Sequence, residues 1–263
     1  MKNLLFLLLF CMVGTVNATT YTWTGSSSIN WNDASNWSPA TVPGSADIAS
    51  FTNTSTTYQP KLDTSRSIAG LTVSANISLD LNTYQLTVNG NTTLDRGTYS
   101  NGSLIVNGTT LSLGYMNAQG TVYYGPTLSC SLTVTAATLS IKFSTFNAAV
   151  VLTKTGSSTD QWQGGNTFNS TVSMTNSGSG LLNPGFRGVN TYNAAVSLYN
   201  QSSGSIGFSQ TANIGSNVPY CYINADLYLS NTGSGEINLG RYAATYYSTA
   251  KTIRMAAGTR ILC

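Results

Sequence analysis

The chain has 263 residues, a formal net charge of +3, only 7% charged residues and no histidine. So small and unclustered a charge excludes nucleic-acid binding, which needs a basic face. The missing histidine removes the usual zinc ligand and every Ser-His or Cys-His nucleophile system.

Residues 1–18 have the layout of a secretory signal peptide, with Lys2 before the apolar run Leu4–Val13 and Val16-Asn17-Ala18 as the cleavage site. The run is shorter than the ~18 to 20 residues that cross a bilayer, and none like it follows. The mature chain is therefore expected to begin near Thr19, without a transmembrane segment, and to be secreted or held at the outer cell surface. Cys11 leaves with the leader, and Cys130, Cys221 and Cys263 remain, an odd number for an exported protein.

The region 19–65 carries Trp23, Trp31 and Trp37 among Gly, Ser, Asn and Pro, which interrupt regular strands. It is read as an N-terminal cap, its three rings burying a strand edge that would otherwise invite pairing. The other reading of these rings is an exposed stacking platform for sugars.

From Arg66 to the end the chain alternates short strand cores with turns. Leu71-Thr72-Val73, Leu86-Thr87-Val88, Leu104-Ile105-Val106 and Leu132-Thr133-Val134 recur with Gly- and Asn-rich punctuation between them. Three close copies then follow, TFNAAVVLTKTGSS from Thr145, TFNSTVSMTNSGSG from Thr167 and TYNAAVSLYNQSSG from Thr191, at spacings of 22 and 24 residues. A looser copy, YINADLYLSNTGSG from Tyr222, comes 31 residues later and implies an insertion around residues 213–220. Repeats of this length built only of short strands and turns predict stacking, because one turn cannot bury its own apolar face. The fold expected for 66–263 is an all-β, right-handed parallel β-solenoid of roughly nine turns, about 40 Å long at ~4.8 Å per turn. An antiparallel β-sandwich is the alternative.

The segments Thr22-Trp-Thr-Gly25, Trp31-Asn-Asp-Ala-Ser-Asn-Trp-Ser38 and Val42-Pro-Gly-Ser-Ala-Asp47, with the later T-F-N-x-x-V repeats, resemble the large exported β-rich repeat proteins of Gram-negative bacteria, adhesin-like or autotransporter-like. The resemblance implies export and display at the surface, and it assigns no catalytic residue. Proteins of that kind are usually much longer, whereas this chain stops at TRILC. It is therefore expected to be the N-terminal segment of a longer product.

Candidate sites are few. In Asp160-Gln-Trp-Gln-Gly-Gly-Asn166 a Trp is flanked by a carboxylate and amides, so Asp160, Trp162 and Gln163 are candidate sugar ligands. The competing reading folds Trp162 back over the turn. Asp63, Asp80 and Asp95, near Lys61, Arg66 and Arg96, are a weak candidate for calcium or sugar, set against scattered solvated charges. No cofactor is implied. The expected role is structural or adhesive rather than enzymatic, with an extracellular glycan or a host or neighbouring-cell surface as partner, and edge-to-edge self-association as a further possibility. A carbohydrate-active β-helix enzyme is the rival, and it requires at least two facing carboxylates. Cys130, Cys221 and Cys263 are spaced too far apart along such a stack for disulfides and are expected to be buried thiols.

Overall fold

The computed structural model describes residues 18–185, 189–208, 221–239, 245–247, 252–256 and 261–262. The leader, save Ala18, the insertion at 213–220 and Cys263 lie outside the described residues.

The fold is all-β, dominated by a sheet of 20 strands paired mostly in parallel. Its strands form three ladders. The first runs from Arg66–Ile68 through Gln85–Val88, Thr98–Leu113, Thr127–Ile141, Val150–Lys154, Val172–Asn176, Val196–Asn200 and Leu227–Asn231 to Ile253–Met255. The second runs from Ser78–Asp80 through the two long strands to Thr145–Phe146, Thr167–Phe168, Asn190–Tyr192, Cys221–Ile223 and Thr245–Tyr247. The third begins with Thr20–Trp23, Ile48–Phe51, Gly70–Val73 and Thr92–Leu94, and reaches the ends of the long strands. A separate five-stranded sheet, Asp160–Gln161 to Ile261–Leu262, follows it. Parallel pairing of every repeat with the next is not the pattern of an antiparallel sandwich.

Alternation along each strand decides what the ladders bury. Val150, Leu152 and Lys154 point inward, and register places Val172, Met174 and Asn176 on them, then Val196, Leu198 and Asn200. Like therefore packs on like. Phe146, Phe168 and Tyr192 stack with ring centroids 4.6 and 4.9 Å apart and planes within 7° of parallel. That separation is the strand spacing itself, about 4.7 to 4.9 Å, so the backbone sets the aromatic geometry.

On the outside, between the second and first ladders, the asparagines of successive repeats bond in a column. Asn169, Asn193 and Asn224 each donate Nδ2 to Oδ1 of the preceding Asn147, Asn169 and Asn193, at 2.8 Å every time. Stacked carboxylates or ammonium groups here would repel, whereas an amide is donor and acceptor at once. Asn169→Ala removes two of these bonds from a solvent-exposed site and is expected to lower stability by about 1 kcal/mol in urea unfolding. An unchanged unfolding midpoint would show that the column contributes nothing.

Turn lengths differ by corner. In the four aligned repeats three residues join the second ladder to the first (147–149, 169–171, 193–195, 224–226), and five join the first to the third (155–159, 177–181, 201–205, 232–236). The third corner, where the chain returns to the second ladder, has three residues at 95–97 and 142–144, five at 162–166, six at 184–189 and thirteen at 114–126 and 208–220. Across the four repeats from Thr145, the irregularity in spacing is thus collected at this third corner, while the other two keep constant lengths.

Candidate functional site

The tryptophans lie inside. Trp23, Trp31 and Trp37 are at most 2% exposed, packed edge-on at 4.8 and 5.1 Å and against Phe51 at 5.7 to 6.2 Å. Trp37 Nε1 donates to the Trp31 carbonyl and Trp23 Nε1 to that of Tyr58, both at 2.9 Å. Trp37–Ser38 pairs antiparallel with Thr20–Trp23 while Ile48–Phe51 pairs parallel on the other side, so Thr22 has a partner on each edge. No ring face is left for a sugar, and the stacking-platform reading is corrected by this burial. The loop that feeds Trp37 into place is tied by Asp33, whose carboxyl is held down to about 2 by the hydroxyls of Ser35, Ser27 and Ser28.

The Asp160–Asn166 segment is also corrected in part. Trp162 is fully buried, with Nε1 donating to the Leu139 carbonyl at 3.0 Å, and Asp160 is 2% exposed. Neither can touch a sugar. Register explains the burial, because Asp160 occupies the rung that Leu182 and Ile206 fill in later repeats. Its Oδ2 lies 3.3 Å from Lys154 Nζ and accepts the Leu139 N–H at 3.0 Å, and Nζ donates to the Ala137 carbonyl at 3.0 Å. Burial pushes the Asp160 carboxyl above its ordinary value, against the pull of Lys154. Gln163 alone of the three candidates is partly exposed.

Asp63, Asp80 and Asp95 do not converge. Asp63 pairs with Arg66 at 2.6 Å and Asp80 with Lys61 at 3.2 Å. Asp95 sits at the variable corner, its carboxyl raised by burial against Lys142 and Arg96. Among the described residues no three His, Cys, Asp or Glu side chains are placed to hold a metal ion, which corrects the calcium reading. Cys130 and Cys221 are buried thiols. Burial pushes Cys130 up to about 12, leaving it unreactive. Among the described residues no helix is long and apolar enough to cross a membrane.

The concave feature lies at the variable corner. Residues 114–126 leave the stack as a hairpin, Tyr115–Met116 antiparallel to Tyr123–Tyr124. Its tip closes on Asn117, whose Oδ1 accepts the N–H of Thr121 at 2.8 Å and of Val122 at 3.1 Å. Tyr115 and Tyr124 stack at 6.0 Å, and the Arg96 guanidinium lies 3.9 Å above the Tyr124 ring, pinning the hairpin base by a cation–π contact. Tyr123, 51% exposed, leans 48° to Phe143 with centroids 4.8 Å apart.

Two neighbouring turns supply the floor. Phe143 holds φ +53 and Gly165 φ +74, and a Cβ on Gly165 would lie 2.5 Å from Phe143 Cδ1. Only glycine leaves room for that ring. The groove between hairpin and floor has a volume of about 520 Å3, and Met116, Gln119, Tyr123, Phe143, Gln163 and Val189 line it. Among the described residues no charged side chain lines it.

Sequence reasoning named Gln163 and missed the rest. The available signal was the 28-residue gap between Leu104-Ile105-Val106 and Leu132-Thr133-Val134, too long for one turn. Comparison of the chain with family models, with curated proteins and with solved structures gives no match.

Proposed function

We propose that the protein is a secreted or cell-surface parallel β-solenoid, right-handed and closed at its N-terminal end by the tryptophan-rich region. Its role is structural and adhesive, presenting a surface that binds glycans on a host or neighbouring cell. The three in-register ladders support the solenoid. Across the repeats from Thr145 turn length varies at this corner only, and the hairpin of residues 114–126 lies at the same corner, which together carry the functional reading. In repeat folds, insertions gather on the face that binds, because the ladders tolerate change only where no strand pairs. Here that corner also bears the exposed aromatics Tyr115, Tyr123 and Tyr124, with the exposed aliphatic Val122, on one hairpin.

The test excises residues 115–124 and closes the corner with a three-residue turn like Lys142-Phe143-Ser144. The shortened protein is expected to unfold at an unchanged temperature and to attach to glycan-bearing cell surfaces at least ~tenfold less well. Equal attachment by both forms would remove this corner from the binding surface.

A further inference from the structure

We propose that the hairpin groove is a binding site for a neutral oligosaccharide. This rests on the variable corner being the binding surface, and it adds the chemistry of the ligand. Tyr123 and Phe143 form an angled aromatic pair, one ring 51% exposed, against which the apolar C–H face of a sugar ring packs. Tyr123 does this with its ring alone, because its hydroxyl already donates to the Gly120 carbonyl.

Gln119 and Gln163 both line the groove. Among the described residues neither side-chain amide is hydrogen-bonded, so each brings a free carbonyl and a free NH2. A sugar hydroxyl is likewise donor and acceptor together, and a vicinal pair matches an amide's two ends.

Charge selects among sugars. Among the described residues the lining carries neither cation nor anion, and Arg96, at the hairpin base, is committed to the Tyr124 ring. A uronate entering here would lose water without gaining a counter-charge, which is costly. A neutral chain loses nothing of that kind. The 520 Å3 volume falls within the ~300 to 1,000 Å3 of small-molecule sites. The fixed backbone at Phe143 and Gly165 spares the site the entropy of ordering itself on binding.

The experiment titrates the full chain with maltotriose, cellotriose and chitotriose, and with trigalacturonate as the acidic counterpart, by saturation-transfer NMR and calorimetry. At least one neutral trisaccharide is expected to bind and saturate tyrosine ring protons, with trigalacturonate at least ~tenfold weaker. Tyr123→Ala and Gln163→Ala, both at solvent-facing positions, are each expected to weaken binding at least ~tenfold without shifting the unfolding temperature. Binding unaltered by both variants, or preference for trigalacturonate, overturns the proposal. If no neutral sugar binds while the hairpin-less protein still loses attachment, the ligand class is wrong and the corner stands. If attachment too is unaffected, both fall.

Discussion

Asp160→Leu alone is expected to destabilise the protein by about 3 to 5 kcal/mol, and adding Lys154→Asn is expected to recover that loss or exceed it. The two side chains are wholly buried. Removing the carboxylate leaves an ammonium with, among the described residues, only the Ala137 carbonyl to solvate it. The rescue follows from register, since Lys154 lies on Asn176 and Asp160 on Leu182. The double variant therefore converts this turn into the chemistry of the next one. There Asn176 closes its own turn, donating Nδ2 to the Gly180 carbonyl at 2.9 Å. The native pair is imperfect, because Asp160 Oδ1 is buried without a hydrogen-bond partner among the described residues, which is why replacing both is not costly. A urea-unfolding double-mutant cycle measures the coupling. A silent Asp160→Leu, or a double variant as unstable as the single, would sink the argument.

Trp31→Ala is expected to cost about 3 to 5 kcal/mol, the range for emptying a buried aromatic site. Its ring has no exposure and touches Trp37 and Phe51 at 4.8 and 5.7 Å. Trp31→Phe should cost much less, because the indole Nε1 has no hydrogen-bond partner among the described residues. The damage should be local, since each turn of a repeat stack leans only on its neighbours. Hydrogen exchange should accelerate first at Thr20–Trp23 and Trp37–Ser38, and the uncovered edge should promote aggregation. Unchanged exchange there would mean that the cluster does not hold the end closed.

The aligned repeats were legible because in a parallel ladder the same side chain recurs on the same rung. Thr145, Thr167, Thr191 and Tyr222, the four positions matched in sequence, are register partners in the structure. The hairpin was not legible from its residues, since Tyr-Met and Val-Tyr-Tyr around a turn look like one more pair of strands. Only its position, outside all three ladders, sets it apart. Phe143 and Val189 come from different turns and meet it in space alone. Burial of Asp160 and Trp162 was hidden for another reason: a polar residue on an apolar rung looks like a turn until the later copies are laid over it and Lys154 is seen to deviate in the same repeat.

The like-on-like stacking has a consequence for inheritance. A recombination event that dropped Thr167–Asn190 would bring Thr191 onto Thr145, and with it Tyr192 onto Phe146, Val196 onto Val150 and Leu198 onto Leu152, each partner of the same kind as the one lost. A duplication would act in the same way. The gene can therefore lengthen or shorten its product by whole turns with the ladder joints still fitting, although this particular loss would also take Val189 out of the groove.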